Sequence, residues 1–80
     1  MATLPPDPDQ MNDARAQWAG GALNRFQEIT GTDEDMALPD LLCDLRHWCD
    51  RQGIEFDGAN EHGREHYLAE IGDPSSDFYP

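Results

Sequence analysis

The chain has neither lysine nor valine, and its isoleucines are confined to Ile29, Ile54 and Ile71. So few β-branched apolar side chains argue against a β-sheet core. Serine occurs only as Ser75 and Ser76, both in the tail. Neither a G-x-x-x-x-G-K-[ST] nor a G-x-G-x-x-G phosphate loop is present. No run is long and apolar enough to span a bilayer. The first ten residues mix proline with aspartate and do not resemble a secretory signal. Two cysteines without such a signal predict reduced thiols and a cytoplasmic setting, in a host cell.

What remains is leucine, alanine, methionine and tryptophan, which favour helices, and a large excess of acid. Seventeen Asp and Glu face five arginines, for a formal net charge of −12 over 80 residues. Such a surface repels nucleic acid and anionic membranes and attracts a strongly basic surface. Basic surfaces in cells are often nucleic-acid-binding ones. A generic solvated surface, or adaptation to salt, accounts for the same charge.

The expected fold is all-α, a small three-helix bundle with a flexible N-terminal arm over residues 1–11, a helical domain over 12–72 and an acidic, aromatic tail over 73–80. Pro5, Pro6 and Pro8 keep the arm extended or disordered. A first helix is expected from Asn12 or Asp13 to Ile29, capped by Asn12, with Met11, Ala14, Trp18, Ala22, Phe26 and Ile29 along its buried stripe. Gly20 and Gly21 interrupt it and suggest close approach of a neighbouring helix. Thr30-Gly31 ends it. A second helix, continuous or nearly so over about 34–52 and disturbed at 35–39 by Pro39, places Leu38, Leu41, Leu42, Leu45, Trp48 and Cys49 on its apolar face. Gly53 ends that helix. Asp57 is expected to cap a third helix over about 58–71, with Ala59, Gly63, Tyr67 and Ile71 inward and Gly72 and Pro74 as stops. Short connections predict antiparallel neighbours. In the tail, Phe78 and Tyr79 are candidates to pack back on the bundle or to anchor a partner.

Few constellations carry chemistry. Cys43 and Cys49 are six residues apart on one helix, a rise of about 9 Å, too far for a disulfide. Cys49 is expected in the core and Cys43 at its flank. His62-Gly63-Arg64-Glu65-His66 matches the H-x-x-E-H spacing of inverted zinc peptidases, but 80 residues supply neither the distant third ligand nor the cleft. A structural zinc site of His62, His66 and either His47 or Cys43 is a stronger alternative than the peptidase, and the plain reading is a half-buried His66 beside an exposed His62. No cofactor and no enzymatic activity are expected. The acids themselves are the candidate binding site: Asp33, Glu34, Asp35, Asp40, Asp44 and Asp50 along the second helix, then Glu55, Asp57, Glu61 and Glu65 along the connector and third helix. Arg25, Arg46 and Arg51 are expected to pair within the chain and temper that field.

The residues Trp18…Ala22-Leu23…Phe26, Thr30-Gly31-Thr32-Asp33, Asp40-Leu41-Leu42…Asp44-Leu45, and above all His47-Trp48-Cys49-Asp50-Arg51…Gly53…Phe56-Asp57, resemble a group of small acidic helical proteins of bacterial plasmids and prophages. Pro39 departs from that pattern. The mobile-element setting implies a role similar in kind to anti-CRISPR and other DNA-mimic inhibitors: docking on the basic, DNA-contacting surface of a CRISPR effector complex and blocking target DNA, without direct nucleic-acid or membrane binding. The alternative is a self-associating structural or regulatory accessory protein, monomer or homodimer, in which Trp18, Trp48 and Tyr67 contribute to an apolar patch.

Overall fold

A computed structural model describes residues 3–74. It contains three helices, α1 (Asn12–Thr30), α2 (Glu34–Gln52) and α3 (Phe56–Glu70), and no strand among the described residues. The fold is therefore the all-α, three-helix arrangement that the composition predicts. The tail with Phe78 and Tyr79 lies outside the described residues.

The stops fall where glycine permits a left-handed backbone. Gly31, Gly53 and Gly72 have φ of 71°, 70° and 70°. Each donates its N–H, or its successor's, to a carbonyl of the preceding turn, as in Ile54 N–H to Cys49 O at 3.0 Å and Asp73 N–H to Leu68 O at 2.9 Å. The starts differ from expectation. Asn12 is the first helical residue rather than the cap, and its side chain is drawn into a long-range bond described below. Asp57 lies inside the first turn of α3, which begins at Phe56 after Glu55. Its carboxylate pairs with Arg46 at 3.3 Å instead of capping the helix. Pro39 is accommodated within an unbroken α2. It removes only the N–H that would have reached the Asp35 carbonyl, in an exposed part of the helix.

How the helices meet follows from one hydrogen bond. Asn12 Nδ2 donates to the Glu70 carbonyl at 2.9 Å, joining the first turn of α1 to the last turn of α3. In an up-down-up bundle those ends would sit at opposite poles, about one helix length (about 20–28 Å) apart. The expected antiparallel neighbours are therefore splayed, and the helices run head to tail around a flat ring of 37 × 33 × 18 Å. Its radius of gyration is 14.7 Å, against about 11.6 Å for a compact chain of this length.

A ring packs at its corners. Among the described residues, the buried ones are Ala37, 3% exposed, near the α1–α2 turn, and Cys49, 6% exposed, near the α2–α3 turn. At the latter, the Arg46 guanidinium lies 4.4 Å from the centre of the Phe56 ring. The expected core stripe of α1 is turned outward at both Trp18 and Ile29. Leu23, Phe26 and Gln27 are more sheltered than these. Gly20 and Gly21 serve no close approach, because a Cβ at either would meet nothing within 4 Å. Tyr67, assigned inward on α3, is likewise exposed.

Candidate functional site

The ten predicted acids lie on the outside of the ring. All are exposed except Asp40, which is half-buried. On α3, Asp57, Glu61 and Glu65 are successive i, i+4 positions and drift by only about 40° per step, so they form one stripe. Arg46 meets its first member, and Arg64 meets Glu61 at 3.7 Å. On α2, Asp40 and Asp44 share a stripe with His47 and Arg51. Asp50 stands about a quarter turn away. Asp33, Glu34 and Asp35 sit at the start of α2, where the helix dipole favours negative charge. Among the described residues, Asp33, Glu34, Asp35, Asp40, Asp44, Asp50, Glu55 and Glu65 make no ion pair. The Arg46–Asp57 pair is the point at which the α2 and α3 acids are tied together.

Two of the three tempering arginines behave otherwise than expected. Arg51 Nη1 donates to the His47 carbonyl at 3.1 Å, a favourable use of a cation in a helix's last turn. Arg25 makes no ion pair among the described residues.

The most connected polar group is one that sequence reasoning did not find. Arg15 reaches Asp9 Oδ2 at 2.7 Å, Glu70 Oε2 at 3.4 Å and Asn12 Oδ1 at 2.6 Å. Hydrogen bonding to Arg15, and then to the Met11 N–H, holds the Asp9 carboxyl below the ordinary aspartate range, and Asp9 in turn raises Arg15. Asp7 Oδ1 accepts from the Asn12 N–H at 3.2 Å, so the proline-rich arm is fastened over residues 7–11. Pro8 lies against Gly72, its Cγ 3.1 Å from where a Cβ would stand. Arg15 is the only base in the first 24 residues, among Asp7, Asp9 and Asp13. Its pairing with the arm was thus signalled by charge, whereas Glu70 was not signalled at all. Beside this cluster is a cleft of about 420 Å³ with Leu4, Pro5, Ala16, Tyr67 and Ile71 on its apolar side.

Cys49 is buried and Cys43 exposed, both as free thiols, as their helical positions predict. The His62 and His66 rings lie 4.7 Å apart, centre to centre. Among the described residues, no three His, Cys, Asp or Glu side chains group as metal ligands. No helix among them is long and apolar enough to cross a membrane. The chain matches no known family model, curated protein or solved structure.

Proposed function

We propose that this chain is a non-catalytic binding protein whose acidic surface docks on a basic, nucleic-acid-contacting surface of a protein partner and competes with nucleic acid for it. The supporting observation is the set of eight acids on α2, α3 and their connections that are not neutralised within the described chain. Like charges one turn apart, as at Asp40 and Asp44 or Glu61 and Glu65, weaken a helix by a few tenths of a kcal/mol per pair, and no packing contact requires acids there. The partner class with the most suitable surface is an RNA-guided CRISPR effector, which exposes basic tracks for duplex and unwound DNA. The chain would then act as an anti-CRISPR DNA mimic from a phage or prophage.

The test is competition. Purified protein should displace a short target duplex from such an effector, and displacement should weaken steeply as salt rises, since the contact is largely electrostatic. Reversing Asp40 and Asp44 together to arginine should abolish it. An effector that still takes up its DNA in the presence of saturating protein sinks the proposal. A second reading, a self-associating accessory protein, rests on a different observation: the apolar side chains left exposed along α2.

A further inference from the structure

His62-Gly63-Arg64-Glu65-His66 is a motif that the acidic-surface reading leaves unused. Within α3 its two histidines stand on one face, one turn apart. His62 is exposed and His66 half-buried. Their ring centres are 4.7 Å apart, and their planes are tilted by 44°. We propose that this pair is a surface chelate for a divalent transition-metal ion, zinc in the first instance, bound through one nitrogen of each imidazole.

Tilt and distance both point to a shared ion. Attraction between rings favours offset-parallel or perpendicular planes, and 44° is neither. An ion makes a different demand. Each nitrogen lies about 2.0–2.1 Å from zinc, and each ring centre just over about 1 Å farther along the same line. Ligand angles from octahedral to tetrahedral then place the ring centres about 4.4–5.4 Å apart. The observed 4.7 Å lies within that range. Each ring turns about its own metal–nitrogen bond, so the ion leaves the tilt free. The helix therefore holds the two rings at a chelating separation in advance, which lowers the cost of binding.

The surroundings suit an open site. Side chains on a helix lean toward its N-terminus, where this face presents Gly58 and Ala59, both exposed. An ion reaches the rings from solvent. Among the described residues, no third His, Cys, Asp or Glu joins the pair, so the remaining coordination positions fall to water. That distinguishes the site from a closed four-ligand structural centre and from a three-ligand catalytic one. Imidazole also sets the class of ion: it suits zinc, copper and nickel, whereas carboxylate and water suit magnesium and calcium. The field of a chain of −12 gathers any cation, and the histidines select among them. The chelate does not depend on the acidic-surface reading, and the two can fail separately.

A zinc titration of the chain, followed through the NMR signals of its histidine rings, tests it. A Cys43→Ser background removes the other i, i+4 pair of nitrogen or sulfur ligands, Cys43 with His47 on α2. Magnesium at about 10 mM satisfies the acidic field without competing for imidazole. One zinc ion per chain should then shift His62 and His66 together and leave His47 unmoved. Half the ligand set of a structural zinc centre implies a dissociation constant of roughly 1–200 µM. His62→Ala and His66→Ala should each weaken binding at least about 10-fold, because the second ligand acts at high effective concentration only while the first is present. The double variant should lose little more than either alone. Alanine is the better helix former, so these variants keep α3, which circular dichroism checks. Urea unfolding supplies a second readout: saturating zinc should raise the midpoint of the chain with both histidines and leave that of either variant unchanged. A folded chain that binds no zinc at about 1 mM, well above that range, overturns the proposal. So does zinc binding that persists when both histidines are alanine.

Discussion

The corner where α1 begins and α3 ends is closed by polar bonds between residues far apart in the chain, while the middle of α2 is apolar and open. At the corner, Arg15, Asn12, Asp9 and Glu70 satisfy one another over distances of 2.6–3.4 Å. Along α2, Leu38, Leu42 and Leu45 keep 55%, 42% and 37% of their surface in water. Charge has been given partners where the chain must close on itself, and hydrophobicity has been left without them. In a self-sufficient small domain the allocation is the reverse, with apolar side chains inside and polar groups in water. The difference teaches that this ring defines its own shape by directional bonds, and that its apolar free energy is still available for association.

One substitution, glycine to alanine, separates the two kinds of region because its sign should change between them. The largest effect is expected at the corner. Gly72 combines φ of 70° with Pro8 Cγ 3.1 Å from a would-be Cβ, so Gly72→Ala should destabilise by about 1–2 kcal/mol through left-handed strain alone, and more if the arm cannot yield. Urea unfolding would measure it; an unchanged midpoint would mean that Gly72 is not held in the left-handed conformation. In mid-helix the same change should stabilise. Gly20→Ala and Gly21→Ala place a methyl group in open space on a helical backbone, and each should add about 0.5–1 kcal/mol. A loss at either position would reveal a neighbour that the isolated ring lacks.

The smallest effect concerns protons. Asp9 titrates below an ordinary aspartate because its ionised form accepts from Arg15 and Met11. A depressed value in the folded state contributes stability above the unfolded value of about 3.9, and that contribution is lost as pH falls through the folded value. An NMR titration should place the Asp9 midpoint below the ordinary aspartate value of about 3.9, with Arg15→Ala raising it toward that value while the Met11 N–H still holds it down. A midpoint unmoved by Arg15→Ala would remove this bond from the corner.

Helix number and helix ends were legible in the sequence because they depend on local chemistry. Gly31, Gly53 and Gly72 stop helices through a property of their own backbones, while Pro39, although past the first turn, does not break α2. Caps were less legible. Asn12 and Asp57 have side chains suited to capping, but each has a tertiary partner, the Glu70 carbonyl and Arg46, that a local pattern cannot reveal. Facing was least legible. Trp18 and Ile29 mark an apolar stripe on α1, and periodicity does not say whether the chain itself or another molecule covers such a stripe. The exposure of the acids at Asp44, Glu61 and Glu65 was readable from their place opposite the apolar positions. The Arg15 cluster was not, since it exists only once the ends of α1 and α3 meet.

That meeting has a kinetic side. Asn12 and Glu70 are 58 positions apart, whereas the other two corners are short covalent turns that form as quickly as the helices they join. Bringing together ends so far apart costs about 3.6 kcal/mol of chain entropy beyond a constant, and no bond at the corner compensates until the ends have arrived. Helices and their turns should therefore form first and the clasp last, so that weakening the clasp speeds opening far more than it slows folding. The corner that gives the ring its shape is also the one expected to open first, leaving three helices joined through their two short turns.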